Sequence, residues 1–479
     1  MNTNYIDLFC GAGGLSIGLT KAGYKLEFAT DIDIDSINTF KYNLNITHPT
    51  LNKNNIIHAD IKDLYKTLGT SRVYIGNIGS QTITTNRQKK LIKNKKNITS
   101  SDLEITSSIK NIDLLCGGPP CQGFSLIGRP KRGTLNERTK GFINDSGNYL
   151  FKYFLKFAEK YNPKIILMEN VKGLSSASNY QKLILKAISS TGKGYNSNFA
   201  LLNASDFGIP QNRERLFFIG IRNDVSKKFK IEPQLIFEDI LKSTLKTSRI
   251  TVGEAIYNLP QIKNNPLPSN YHQKNEKSFK NRNSFGMNIS DLSYNKLTIS
   301  NKYSDSINKF KNRTITPDKL YNHKSRYHNN RDKHIYMNLN QGKYLDHPDN
   351  FIALNGDGKN FNGVDYIKKT NKNGNKIPTG FSDKYFKLNS NSVSKTIIAH
   401  LETDGNSYVH PPIDKYKKNL RYARSITPRE AARLQSFPDW YFFTGKLRKQ
   451  YRQIGNAVPP TLAFEIGKVL KKYFKKINE

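Results

Sequence analysis

Cysteine is nearly absent from this chain: only Cys10, Cys116 and Cys121 among 479 residues, all in the first third. No two of them form a C-x-x-C pair and no C-x-x-C…H-x-x-x-H spacing accompanies them. A disulfide framework is therefore excluded, a structural zinc site has no ligand pattern, and no metal is expected. Long apolar runs are missing as well; none approaches the roughly 18 residues needed to span a bilayer. The opening MNTNYIDLFCGAGG has no basic stretch followed by an apolar one, so no secretory leader is expected. These absences point to a cytoplasmic protein without membrane association. Acid is scarce too: 38 Asp and Glu stand against 76 Lys and Arg, a formal charge of +38. Such a surplus favours a polyanionic partner, because cations near phosphates release counterions. Lys and Asn are abundant throughout, however, so part of the charge is compositional bias and supports nucleic acid only weakly.

What is present is enough to build a core. Hydrophobic residues make up 36% and aromatics 11%, and the length suits one large and one smaller domain. Residues 5–9 read as a strand running into the turn Gly11-Ala12-Gly13-Gly14, and a helix is predicted over 15–21. A second strand, 24–30, ends at Asp31, a helix follows over 33–44, and a third strand, 55–59, ends at Asp60. Strand, helix and strand with short loops predict a parallel α/β sheet. The rhythm resumes at 112–116, 164–168 and 216–221. Residues 66–110, rich in Lys, Asn, Ser and Thr, read as an inserted low-complexity loop without assigned structure. Residues 223–420 lose the rhythm and suggest a separate irregular, β-containing domain. A helix returns after Thr427, and an amphipathic one closes the chain over about 461–475.

Several constellations carry chemistry. A glycine turn after the first strand lets backbone N–H groups approach a ligand, and an acid ending the second strand suits ribose hydroxyls. By itself that pattern is common. With Asp60 ending the third strand, it suits an adenosyl ligand across the carboxyl edge of the sheet. GGPPCQGFS at 117–125 is far more specific: a rigid Pro119-Pro120 presents Cys121 after two glycines, and a thiolate is intrinsically nucleophilic. Glu169, in MENV, lies just past another buried strand, a partly desolvated place suited to holding a proton. Arg213 and Arg215, in QNRER, enter a further apolar strand, where they suit a base oxygen or a phosphate; a surface ion pair with Glu214 is the plainer alternative.

DLFCGAGG, GGPPCQGFS, ENV, QNRERLFFIG, RSITPREAARLQSFPD and QIGNAVPP occur in the order and rough spacing of the DNA cytosine C5-methyltransferases, and the chain resembles that family in its bacterial restriction–modification form. The motifs cover most of residues 1–222 and 421–479. The resemblance implies a Rossmann-like catalytic domain (1–222), a smaller target-recognition domain (223–420), and a C-terminal segment (421–479) that hinges and returns to the catalytic domain. It implies S-adenosyl-L-methionine as methyl donor, S-adenosyl-L-homocysteine as product, and double-stranded DNA as substrate. It further implies a monomer paired in function with a restriction endonuclease, without a stable complex.

By similarity, Phe9 would pack on the adenine, with Ala12 and Gly14 along the methionine part. Asp31 would take the ribose hydroxyls and Ile32 would lie beside the adenine, a position often aromatic in the family. Asp60 and Ile61 would flank the adenine, Gly118, Pro120 and Leu150 would complete the pocket, and Asn456, Ala457 and Val458 would cover the methionine end. Cys121 would attack C6 of a flipped cytosine, Glu169 would hold N3, and Arg215 would contact O2 with Arg213 as a supporting charge. Ser125 would touch DNA from a closing loop over 125–141. Thr396 and Ile397, in Ser394-Lys395-Thr396-Ile397, would contact DNA beside the flipped base. A transfer-RNA methyltransferase of the same family usually carries a Cys-Phe-Thr tripeptide, which is missing here. An adenine or cytosine-N4 enzyme would need an Asn/Asp-Pro-Pro-aromatic motif instead of Pro-Pro-Cys. A catalytically dead DNA-binding regulator is opposed by the intact Pro-Cys, Glu-Asn-Val and Arg-x-Arg motifs, and the six residues before Asp7 leave no room for a helix-turn-helix.

Overall fold

The computed structural model describes residues 3–69, 99–120, 149–172, 178–244, 248–264, 300–316, 320–345 and 385–479, with short strands between 351 and 377. The chain divides into two units, one comprising 1–207, 214–247 and 458–479, the other 208–213 and 248–457.

The first unit is built on a seven-stranded sheet. In chain order its strands are β1 (Thr3–Leu8), β2 (Tyr24–Asp31), β3 (Ile56–His58), β4 (Leu114–Gly117), β5 (Ile165–Val171), β6 (Tyr195–Asn203) and, after a two-residue β7 (Gln211–Asn212) that belongs to the second unit, β8 (Glu214–Arg222). Their order across the sheet is β3-β2-β1-β4-β5-β8-β6. The first five run parallel, but β8 is antiparallel to both β5 and β6, so the parallel order expected from the sequence stops at β5. An antiparallel partner needs no crossover helix, and β8 follows β6 after a short excursion. Ile6, Leu8, Phe28, Leu115, Ile166, Met168, Leu216 and Phe218 form the centre of the core, the continuous apolar runs expected of strands covered on both faces.

The strand order reverses between β1 and β4, which leaves a crevice at the carboxyl ends of the strands, where ligands of such sheets sit. Helix α1 (Gly14–Lys21) follows the glycine turn. The last helix, Pro460–Asn478, packs on it so closely that a Cβ on Gly18 would lie 2.4 Å from the Pro460 carbonyl oxygen.

Three expectations shift. The first unit extends to 247, because the helix Pro233–Thr244 packs on β6 and on the C-terminal helix. Of the C-terminal segment only residues 458–479 return to it; the helices Pro428–Leu434 and Leu447–Asn456 belong to the second unit. Part of the proposed loop over 66–110 is helical. Ser100–Ser108 is capped reciprocally, the Thr99 hydroxyl accepting from the Asp102 N–H and the Asp102 carboxylate from the Thr99 N–H, a local signal that composition obscured. The remainder of the insertion, including Lys89 to Lys96, lies outside the described residues.

The described residues of the second unit form few regular elements. Its order comes instead from buried ion pairs: Arg424 with Glu430 through two 2.7 Å bonds, and Arg433 with Asp439 through two of 2.8 Å, all four side chains essentially inaccessible. Arg429, equally buried, donates to the carbonyls of Tyr321, Pro438 and Tyr441. The motif RSITPREAARLQSFPD is thus the polar core of this unit.

Candidate active site

The glycine turn is shaped by backbone conformation. Phe9, Gly11 and Gly13 all have positive φ, at 60°, 53° and 81°, and a left-handed conformation at non-glycine Phe9 is a strained arrangement of the kind found at ligand sites. Nothing lies within 4 Å of where a Cβ on Gly11 would be, so its backbone is open to close approach, whereas Gly13 backs onto the Phe40 ring. Asp31, at the end of β2, accepts the Gly11 N–H at 2.9 Å on one oxygen and the Asp33 N–H at 2.8 Å on the other. Burial raises its pKa against those backbone bonds. Each oxygen keeps a further lone pair, which fits a vicinal pair of hydroxyls. Beside it Ile32 is 64% exposed, so its side chain has apolar surface to offer a ligand. Asp60 accepts the Lys62 N–H at 2.8 Å and so caps the helix Ile61–Gly69. Ala12, Gly14 and Ile61 are buried, while Phe9 and Leu150 are partly buried against the core.

Beneath the turn, Asp7 is inaccessible and accepts the Ser16 hydroxyl at 2.6 Å. Burial lifts its pKa to about 7, with the Ser16 bond opposing and the charge of Asp31 adding. The buried thiols of Cys10 and Cys116 donate to the Gly11 and Ile6 carbonyls, and burial pushes both pKa values up, so neither is a ready nucleophile. Cys121 and Ser125, with the expected closing loop over 125–141, lie outside the described residues.

The approach to Cys121 is described, and it is tight. A Cβ on Gly117 would lie 2.1 Å from the Leu8 carbonyl oxygen, and one on Gly118 would lie 3.0 Å from Glu169 Oε2. The Asn170 amide donates to the Pro119 carbonyl at 3.1 Å, tying the Pro119-Pro120 segment to the end of β5. Register then sets the pairing of charges. Val171 lies opposite Arg215 and Glu169 opposite Phe217, so strand alternation puts Glu169 and Arg215 on one face as diagonal neighbours. They form an ion pair of 3.0 Å at 13% exposure each. Burial lowers the Arg215 pKa and Glu169 raises it. On the opposite face of β8, Glu214 pairs with Lys172 at 2.5 Å, so the plainer alternative for the arginines applies to neither of them.

Arg213 has a different setting. It belongs to the second unit, is 1% exposed, and its guanidinium donates to the carbonyls of Ile397 at 2.7 Å and Gly455 at 3.2 Å. Around it β7 pairs in parallel with β9 (Ser394–Lys395). Gln211 donates to the Leu434 carbonyl and accepts the Ile397 N–H at 2.7 Å. Thr396 donates its hydroxyl to the Asn212 carbonyl at 2.7 Å. Gln435 donates to the carbonyls of Ile454 and Ala457. Ile397 is fully buried, so only Thr396 of that pair has surface to offer a ligand. Asn456 is exposed, with Ala457 buried and Val458 half-buried beside it. Sequence reasoning missed Asn170, Gln211 and Gln435; they sit inside quoted motifs, but an amide gives no sign of which carbonyl it will hold.

Residues 3–70 and 65–472 match the model of the C-5 cytosine-specific DNA methylase family. A type II methyltransferase of Bacillus paralicheniformis is 28% identical over 97% of this chain and 98% of its own. The type II methyltransferase M.DdeI of Desulfomicrobium norvegicum is 27% identical over 99% of this chain and 90% of its own. An Escherichia coli prophage protein crystallised as a DNA modification methyltransferase superposes with a TM-score of 0.57 and 23% identity, covering 99% of this chain and all of that one, which bears on the fold alone.

Proposed function

This chain belongs to the C-5 cytosine-specific DNA methylase family, as a methyltransferase of the type II restriction–modification kind, and from that premise we propose that it transfers the methyl group of S-adenosyl-L-methionine to C5 of a cytosine extruded from a specific double-stranded DNA sequence. The product would protect that sequence from a cognate endonuclease, the enzyme acting as a monomer without a stable complex with it.

The observation that carries this reading is the Glu169–Arg215 pair, on one face at the end of β5 and β8, next to the Gly118 backbone that leads to Cys121. Cytosine C5 is a poor nucleophile until electrons are pushed into the ring. Addition of the Cys121 thiolate at C6 supplies them, Glu169 holds N3 as charge develops there, and Arg215 takes O2. C5 then acquires the methyl, a base removes the C5 proton, and the electrons of that bond expel the thiolate. The donor contributes a methyl made electrophilic by its sulfonium. Asp31 fits its ribose, the open backbone at Gly11 its close approach, and exposed Ile32 with Asp60 the adenine. A base stacked in a duplex cannot meet Cys121, so extrusion is required, at a cost of a few kcal/mol. Arg213, Gln211 and Gln435 act as positioning residues within the second unit.

Expression in a host without cytosine methylation, followed by sequencing of its DNA for 5-methylcytosine, tests activity and target together. Methylation at one recurrent sequence is expected; unmodified DNA alongside folded protein overturns the reading.

A further inference from the structure

The second unit carries a basic surface feature that is built rather than merely solvated: residues 414–422, DKYKKNLRY. Lys415, Lys417, Lys418 and Arg421 are all exposed, against Asp414 alone. Two short 3-10 turns, Asp414–Tyr416 and Leu420–Tyr422, bring the rings of Tyr416 and Tyr422 face to face, with centroids 4.0 Å and planes 19° apart. The Asn419 side chain accepts the Arg421 N–H at 3.0 Å. From a distant part of the sequence, Asn264 donates its amide to the Leu420 carbonyl at 2.9 Å and its backbone N–H to the Arg421 carbonyl at 2.8 Å. Buried Arg424, just beyond, fixes the root of the loop through the Ile262 carbonyl and Glu430.

This rigidity matters energetically. A mobile lysine-rich loop must have its backbone ordered on binding, at a cost in conformational entropy. Here the backbone is already fixed. The exposed Lys417–Asp414 pair, at 2.6 Å, contributes little and leaves three cations in excess. The field also reaches inward: burial and then the charge of Lys417 bring buried Lys387 down to about 8.

We propose that this loop is a phosphate anchor for duplex DNA, a sequence-independent contact on the second unit that no catalytic motif includes. The proposal rests on the reading that DNA is the substrate. A stacked tyrosine pair holds the turn while the three cations in excess meet successive phosphate oxygens, and each phosphate neutralised releases counterions. The exposed Lys468, Lys472, Lys475 and Lys476 of the C-terminal helix carry the same charge on a helical face of the other unit, and one of them is already paired with Glu465.

The test uses the full chain and a duplex containing the methylated sequence. A variant with Lys415→Gln, Lys417→Gln, Lys418→Gln and Arg421→Gln is compared with one carrying Lys468→Gln, Lys472→Gln, Lys475→Gln and Lys476→Gln, equal in charge removed. The first should bring the negative slope of log K against log salt closer to zero by about 3, while the methylated sequence and turnover at saturating DNA stay as in wild type. The second should change the slope by less than about 1. A first variant with the wild-type slope, or two variants that fall alike as net charge alone dictates, overturns the anchor. A wild-type protein that neither binds nor methylates duplex DNA fails the functional reading instead, and is recognised as such before either variant is made.

Discussion

The two units bury charge in opposite ways. The first hides an apolar sheet and, among its described residues, one fully inaccessible carboxyl, Asp7, which accepts a single hydroxyl. Among its described residues the second hides four arginines, Lys387, two carboxylates and three histidines in short, irregular elements. A sheet gains its order from continuous backbone pairing and apolar contact, so its motifs are free to face a ligand from the strand ends. The described residues of the second unit form no long ladders, and backbone carbonyls there are satisfied by guanidinium and amide groups instead, as by Arg213, Arg429 and Gln435. The same residue type therefore means different things in the two places. Arg215, on the sheet, pairs with Glu169; Arg213, two residues earlier, braces carbonyls.

If chemistry is confined to the first unit, the largest effect comes from the nucleophile. Cys121→Ser should cut methyl transfer by roughly three orders of magnitude or more while DNA affinity stays near wild type. Single-turnover rates and binding isotherms measure both, and a serine variant retaining above about a tenth of the rate would remove covalent addition. Glu169→Gln comes next, about a hundredfold in rate with little loss of affinity. Equal losses in rate and binding would make Glu169 a DNA contact rather than the group at N3.

The second unit should break through its buried pairs. Glu430→Gln leaves Arg424 uncompensated and should cost about 3–5 kcal/mol. Glu27→Gln, at the exposed Lys25–Glu27 pair of the first unit, should cost under about 1 kcal/mol. Denaturant midpoints of the full chain give both numbers. Similar costs at the two sites would mean that the buried network is not what orders the second unit.

The contrast also explains what the sequence disclosed. Strands β1, β4, β5 and β8 were legible from their apolar runs, β2 from Leu26 and Phe28 alternating with exposed Lys25 and half-exposed Glu27, and β3 from the short apolar run that ends at Asp60. Strand β6, YNSNFALLN, was not: it is the edge of the sheet and half-exposed along most of its length, so tertiary pairing with β8 imposes what its pattern does not. Asp31 and Asp60 were legible as site candidates because an acid ending an apolar run is conspicuous. Arg213 read as a ligand-facing charge because burial of an arginine depends on distant carbonyls, here those of Ile397 and Gly455, which no local spacing encodes. RSITPREAARLQSFPD was recognised only as a string. Its role as polar core emerges once Arg424, Glu430, Arg433 and Asp439 are seen buried together.

A last effect separates the units by the sign of their response to acid. Burial holds His323 down at about 4 and His328 at about 3, each a buried imidazole kept neutral, with arginines adding to the burial at His328. Unfolding returns both to about 6.5. Between that value and their folded ones the unfolded chain binds more protons, so the contribution of these two histidines to the second unit is complete above pH 6.5 and is lost as pH drops. Asp7 runs the other way. Its folded pKa of about 7 exceeds the ordinary carboxyl value, so its contribution is complete below about pH 4 and is lost as pH rises toward 7. Each group changes stability by about 1.4 kcal/mol per pH unit within its window. From pH 6.5 down to 4.5, amides of β1 and β4 should therefore gain protection relative to those of residues 425–435, after correction for intrinsic exchange. Asp7→Asn should reduce the gain in the first unit, leaving the part that Asp31 supplies, and leave the loss in the second. Parallel pH responses in the two sets of amides would show that the units unfold as one body and that their buried charges cannot be read separately.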